Sequence, residues 1–489
     1  MLRGAWTDQD DQFTLFSAMV HRRGVTIAQV HIPADTNGTA SDRVRARRAL
    51  GCGHHVARDP QVHKARLMCR KFLEVFRSVR RVTAVVSTLA WVDTSAKDQR
   101  VIRDLIAQFM QHESRDELGI GQVRDVLSDT LFPGTSVVQT RARYFLFVPW
   151  IFRQGERKGR YGAELRRWTE VRERQLVASL LKVAGDAEGL IGRRAGPAVK
   201  TLPSTIYWSG LARYRILTRD VAADQLPRIK NDYGEAEELA GRAGGNWHPT
   251  LPPEPAEFPR DVEDAFDLTG AEASWLRERL LTATPGTLLS HLLSQPGPLD
   301  ADSPQPWADS LCARAPEPVR AVLLHAQLFS LAMQGAALLY NVLVGECYER
   351  AGHTRVVQPA RDYRDRLANW HQECEGSVSL LTRWDRDAFW DHVLAGNPGI
   401  GGRTREFVDR WLDAVCDGRT GAAADDDGLR LLISNRERQQ KGAQSRLANS
   451  RLLRTWSGTS GTAPLTYRWY RVHRIVTDIH DGLVRGAGS

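Results

Sequence analysis

Apolar residues recur at helical spacing along most of the chain. Val101, Ile102, Leu105, Ile106 and Phe109 form one such face, and Val123, Val126, Leu127 and Leu131 form the next. Leu165, Trp168, Val171, Leu176, Leu180 and Leu181 follow, and then Tyr207, Trp208, Leu211 and Tyr214. Ala271 to Leu293 is again helical. At the far end Val472, Ile475, Val476, Ile479 and Leu483 share one side of a final helix. Stretches rich in Gly or Pro interrupt the pattern at 185–203, 247–259 and 295–318. The pattern predicts a mainly α, multi-helical protein of two or three packed helical subdomains with little or no β-sheet. The expected divisions are an N-terminal helical domain over 86–245, a central helical domain over 246–428 and a basic helical region over 429–489.

Residues 1–85 show no comparable periodicity. Gly, Thr, Asp, Asn and Ala cluster at 34–42, and Arg43, Arg45, Arg47 and Arg48 follow. The character changes abruptly at Val86-Ser87-Thr88-Leu89-Ala90-Trp91. The expectation for 1–85 is a disordered segment, or an extension read upstream of a start at Val86.

Ser114 to Trp150 holds the densest local chemistry. Ser114-x-x-Glu117 has the form of a capping box, Gly119 and Gly121 precede a helix, Pro133-Gly134 makes a turn, and Ser136 is placed to cap a third helix. Three short helices with a tight turn before the last suggest a helix-turn-helix-like element. On that third helix Ser136, Gln139, Thr140, Arg143 and Phe147 share one side, so Gln139 and Arg143 are candidates for nucleic-acid contact. Arg141 falls near the apolar side and needs a carboxylate, with Asp116, Glu117, Asp125 and Asp129 as candidates. The plainer reading is a helical subdomain fixed by an internal arginine–carboxylate pair.

Several stretches carry a resemblance. They are Trp91-Val92-Asp93, Arg115 to Gly121, Leu131 to Ser136, Gln139 to Phe145, Tyr207 to Leu211, His325 to Leu331 and Lys441 to Asn449. Together they resemble a bacterial family, domain of unknown function family 6361, from about Val86 to the C-terminus. The resemblance implies no assigned activity. It implies cytosolic proteins encoded among helicases and other genes of phage-defence islands.

Ala321 to Gly345 contains no charged residue and is long enough to span a bilayer. Its polar content, His325, Gln327, Ser330, Gln334 and Asn341, argues instead for a central helix buried by its neighbours. Gln327, Gln334 and Asn341 line one side, either fixing register or lining a pocket with His325 as an acid–base group.

The net charge of +9 suggests nucleic acid until it is divided. Residues 1–85 carry +8, residues 430–489 carry +8, and the middle carries −7. Of 67 basic residues only 8 are lysine, a compositional bias rather than a functional one. In the C-terminal region Arg436, Arg438, Lys441, Arg446, Arg451, Arg454, Arg468 and Arg471 are the candidate phosphate contacts, interleaved with Tyr467, Trp469 and Tyr470. The competing reading is an arginine-rich face that balances the acidic middle.

No catalytic or metal-binding pattern stands out. The six cysteines include no Cys-x-x-Cys pair and suit a reducing cytosol. Gly396 to Thr404 lacks the lysine of a phosphate loop, and Asp425-Asp426-Asp427 lacks an ordered ligand pattern. No cofactor, metal or membrane partner is expected. The leading expectation is a cytosolic, non-catalytic, nucleic-acid-associated component of a phage-defence system, with other defence proteins as partners. The alternatives are an enzyme with a buried polar site near His325 and Gln334, or a scaffold that binds only proteins.

Overall fold

A computed structural model of the chain describes residues 116–228, 245–262 and 264–488 in full, together with the backbone of three N-terminal strands. Those strands, β1 (Leu2–Thr7), β2 (Phe13–Val20) and β3 (Val25–Pro33), pair antiparallel in sequence order. They lie in a compact unit of residues 1–94, and residues 95–489 form a second. The helix expected from Lys97 and the cap expected at Ser114 fall outside the described residues.

The second unit is helical. Its first helices are α1 (Gly121–Leu131), α2 (Tyr144–Arg157), α3 (Gly162–Ala184) and α4 (Pro203–Arg213). After an extended Pro-rich passage come α5 (Gly270–Ala283), α6 (Leu288–Ser294), α7 (Ser310–Ala313) and α8 (Glu317–Arg350). Then follow α9 (Pro359–Gly376), α10 (Val378–Thr382), α11 (Arg386–Gly396), α12 (Gly402–Cys416), α13 (Asp427–Lys441), α14 (Ser450–Leu453) and α15 (Trp469–Ala487). The protein is mainly α. Between residues 116 and 488 the described backbone has no sheet beyond an isolated bridge between Leu217 and Trp247.

Local chemistry explains where several helices begin. Asp116 opens α1: its carboxylate accepts the amides of Ile120 and Gly121 at 2.8 and 2.7 Å. Thr269 and Glu272 form a reciprocal capping box at α5. Proline at the first turn starts α4 and α9, where its missing N–H leaves no bond unmade. Asn449 caps α14 by accepting the amide of Arg451.

The three sequence stretches share one hydrophobic core. The long helix α8 packs against α1, α9, α12 and α13. It is the single described helix long and apolar enough to cross a membrane, and most of that window is buried by protein. It is not buried all round, since Ala321 and Leu324 are exposed. The final helix α15 lies against α5 with very close backbones: a Cβ on Gly486 would sit 2.6 Å from the Gly270 Cα. Val472, Ile475, Val476 and Ile479 of α15 are buried as the periodicity predicts. Val171, placed in the core by the same reasoning, is 64% exposed on α3.

The helix expected from Ser136 does not form. Residues 136–143 are turn and irregular loop, and α2 begins only at Tyr144. The reason is competition for backbone groups. The Tyr207 hydroxyl accepts the amides of Thr140 and Arg141 and donates to the Arg141 carbonyl, so these groups cannot join a helical ladder.

Candidate nucleic-acid interface

The segment 133–143 is a packed loop rather than an exposed reading helix. Gly134 begins it at φ +80°, with Tyr214 so close that a Cβ would sit 2.8 Å from its ring. Gln139 is fully buried; its amide donates to the Gly134 carbonyl and its side-chain oxygen accepts the Ser136 amide. Arg143 is 3% exposed, donating to the Ala265 carbonyl and to Glu272 at 3.2 Å. Neither side chain can reach a base or phosphate, which corrects the expectation of an exposed Gln139–Arg143 face.

Arg141 is paired internally, but not with the nearby carboxylates. Its Nε meets both oxygens of Asp478 on α15 at 2.8 and 3.1 Å, and Asp478 also accepts the Ala142 amide. The Arg141 guanidinium lies 4.6 Å over the Phe266 ring. The neighbouring Tyr207 is pushed up to about 12, chiefly by burial, and stays a neutral hydroxyl. The loop is therefore tied to a helix more than 300 residues away in sequence.

The C-terminal basic residues divide in two. Arg436 is 2% exposed, and its partners are carbonyls and a hydroxyl rather than carboxylates. It donates to Leu118 O at 2.6 Å, Gly119 O at 3.0 Å, Thr404 Oγ1 at 2.9 Å and Arg403 O at 3.3 Å. Gly119, at φ +66°, leaves room for this side chain: a Cβ there would sit 2.7 Å from Arg436 Nη2. Lys441 and Arg446 both reach the buried Glu117 carboxylate, at 3.2 and 2.8 Å. Arg468 bonds Asp129 at 2.6 Å and the Thr135 carbonyl at 2.7 Å, and Arg471 donates to the Val137 carbonyl at 3.0 Å. Outside the candidate set, Arg430 pairs with Glu346 and Arg474 with Asp478. Arg438, Arg451 and Arg454 are different: all three are exposed, and none has an ion pair among the described residues.

A buried acidic centre organises this end of the chain. Glu437 is fully buried and accepts four hydrogen bonds, from the Tyr340 hydroxyl, the Ser445 hydroxyl and the amides of Arg446 and Leu447. Arg446 also donates to Ser460 Oγ at 2.8 Å. The turn after α13 is thus folded around one carboxylate, and it presents Lys441 and Arg446 to Glu117. Sequence reasoning missed Asp478, Glu437 and Tyr340. The signal for the two acids was present: each stands at an apolar-face position of its helix, Asp478 beside Ile475 and Ile479, and Glu437 four residues after Ile433.

The alternative site near His325 and Gln334 does not assemble. Nine residues separate them on α8, about 13 Å along the axis and about half a turn around it. His325 Nδ1 accepts the Trp384 indole N–H at 2.9 Å, and burial lowers its affinity for a proton. In the amide stripe, Asn341 is fully buried and ties α8 to the Ser460 carbonyl at 2.8 Å.

Four of the stretches that carry the family resemblance meet in these two clusters. Residues 116–121 and 441–449 meet at Glu117, while residues 139–145 and 207–211 meet at Tyr207. The model of a family of unknown function, DUF6361, matches residues 86–482. The chain belongs to that family. No curated protein and no solved structure matches it. Within the family's span the two clusters join residues 117–143 to residues 436–478.

Proposed function

We propose that the protein is a non-catalytic, nucleic-acid-associated component of a phage-defence system, acting in the cytoplasm beside other defence proteins. Arg438, Arg451 and Arg454 make the phosphate contact. The observation that carries this reading is the contrast in exposure. The other five basic candidates of the C-terminal region and Arg143 are engaged within the fold, while these three project into solvent without a carboxylate. A solvated arginine with no internal partner releases counterions on meeting phosphate at little cost to the fold. The defence setting follows from the family resemblance set out above.

The test is binding of the full chain to single-stranded and duplex DNA across a salt series. Affinity is expected to fall steeply with salt. Replacing Arg438, Arg451 and Arg454 together by Ala is expected to reduce the log–log salt slope by about 3. Absence of salt-dependent binding, or an unchanged slope in the triple variant, overturns the reading.

A further inference from the structure

Single strands are held largely by stacking their bases on accessible aromatic rings, whereas a duplex is held first through its phosphates. The placement of the aromatic side chains therefore bears on which form of nucleic acid the exposed arginines meet. Among the described residues no Trp, Tyr or Phe is exposed. In the C-terminal region Trp456, Tyr467 and Trp469 are each 2% exposed or less. Their polar atoms are spent inside the fold. The Trp456 indole donates to Ser460 Oγ, the Tyr467 hydroxyl to the Ala326 carbonyl, and the Trp469 indole to Ser303 Oγ. Tyr470 is the one half-buried ring of this region. The Arg471 guanidinium lies 5.1 Å from that ring's centre, and its Nε is anchored on the Val137 carbonyl. The aromatic and basic residues that interleave in the sequence are thus separated in space: the rings face inward or lie under an arginine, and the free charges face outward.

The free charges belong to one well-anchored stretch. The amides of Arg446 and Leu447 are held by Glu437, and the Asn449 side chain donates to the Ala443 carbonyl, so the backbone that carries Arg438, Arg451 and Arg454 is fixed. A surface that offers charge without stacking gains most from the polymer of highest charge density. Duplex DNA carries one phosphate per about 1.7 Å of axis, against about 3.4 Å along each strand. Each phosphate neutralised contributes about −0.9 to the log–log salt slope on a duplex and about −0.7 on a single strand. We infer that the protein takes duplex DNA in preference to single strands, through the phosphates that Arg438, Arg451 and Arg454 meet. This rests on the nucleic-acid reading above and names the form of the polymer.

Fluorescence anisotropy of the full chain with a labelled duplex of about 20 base pairs, and with each of its two component strands, tests the inference across ~50–200 mM salt. At the lowest salt the duplex is expected to bind about ten-fold more tightly than either strand. Equal or tighter binding of the strands overturns the inference and leaves the nucleic-acid reading standing. Absence of binding to both forms overturns that reading, and the inference with it. The triple change of Arg438, Arg451 and Arg454 to Ala is expected to weaken the duplex more than the strands, and equal weakening of both counts against the inference. Tyr470→Leu keeps the bulk of the half-buried ring and removes its capacity to stack. It is expected to leave single-strand affinity within about two-fold of the parent. A fall of roughly five-fold or more at unchanged Tm reveals base stacking and overturns the inference.

Discussion

The loop at 139–143 and the stretch at 436–454 use the same residue type for opposite ends. In the loop, Arg141 and Arg143 are buried against Asp478 and Glu272 and act as structural ties. In the C-terminal stretch, Arg436 is as deeply buried as either, but two residues further on Arg438 is solvated. Helical geometry makes the difference. Positions 429, 433, 436 and 437 of α13 face the core, so the side chains at 436 and 437 must be satisfied inside, while 438 turns outward. An arginine count therefore says little about nucleic acid until the inward positions are subtracted.

The comparison can be broken most forcefully at Asp478. Its replacement by Ala leaves the Arg141 guanidinium buried without a counter-charge and frees the Ala142 amide. The expected loss is about 3–5 kcal/mol in denaturant-induced unfolding. A double change of Arg141→Met with Asp478→Leu is expected to recover much of that loss, because no lone charge remains. If Asp478→Ala proves neutral, the tie between loop and α15 is not a structural one.

Next in size is a pH effect. Glu173 is fully buried on α3 and accepts the Ser204 amide and hydroxyl at the start of α4, at 2.5 and 2.9 Å. Burial, the dominant influence, pushes it from 4.5 up to about 7. The folded state therefore holds this proton more tightly than the unfolded chain. The corresponding stability is fully present below about pH 4.5 and is lost as pH rises through about 7. Glu173→Gln is expected to remove this part of the pH dependence. Above pH 8 it should be more stable than the parent by on the order of 2–3 kcal/mol, provided Ser204 keeps its contacts. Urea unfolding at pH 5 and pH 8 checks it.

Smaller still is Tyr207→Phe. It strands the Thr140 and Arg141 amides, and the expected cost is about 1–3 kcal/mol with α4 otherwise intact. Amide exchange of residues 139–143 should quicken more than that of the α8 centre.

Helices were legible where apolar spacing was long and unambiguous, as in α8 and α15. The turn at 136–143 was not, because the residues that prevent a helix there, Tyr207 and Asp478, lie about 70 and 340 residues away in sequence. The internal pairing of Arg141 was foreseen from its place near the apolar side, but its partner was sought locally. Gln139 and Arg143 were assigned to an exposed side by a helical wheel that does not apply to a loop. His325 and Gln334 could have been separated from sequence alone, since a nine-residue spacing puts them on opposite sides of one helix. The exposed arginines at 438, 451 and 454 are not distinguishable in the sequence from the buried ones beside them, because the packing around each is set by distant residues such as Glu117 and Leu118.

The most direct test of the account compares two sets of variants in one DNA-binding and thermal-unfolding experiment. Arg438, Arg451 and Arg454 changed together to Ala should abolish most salt-dependent DNA binding and leave Tm within about 2 °C of the parent. Arg436→Ala should do the reverse, lowering Tm sharply while DNA affinity of the folded protein, measured well below that Tm, stays near the parent value. If the exposed triple variant binds DNA as the parent does, or if Arg436→Ala loses binding without losing stability, the division between structural and solvated arginines is contradicted.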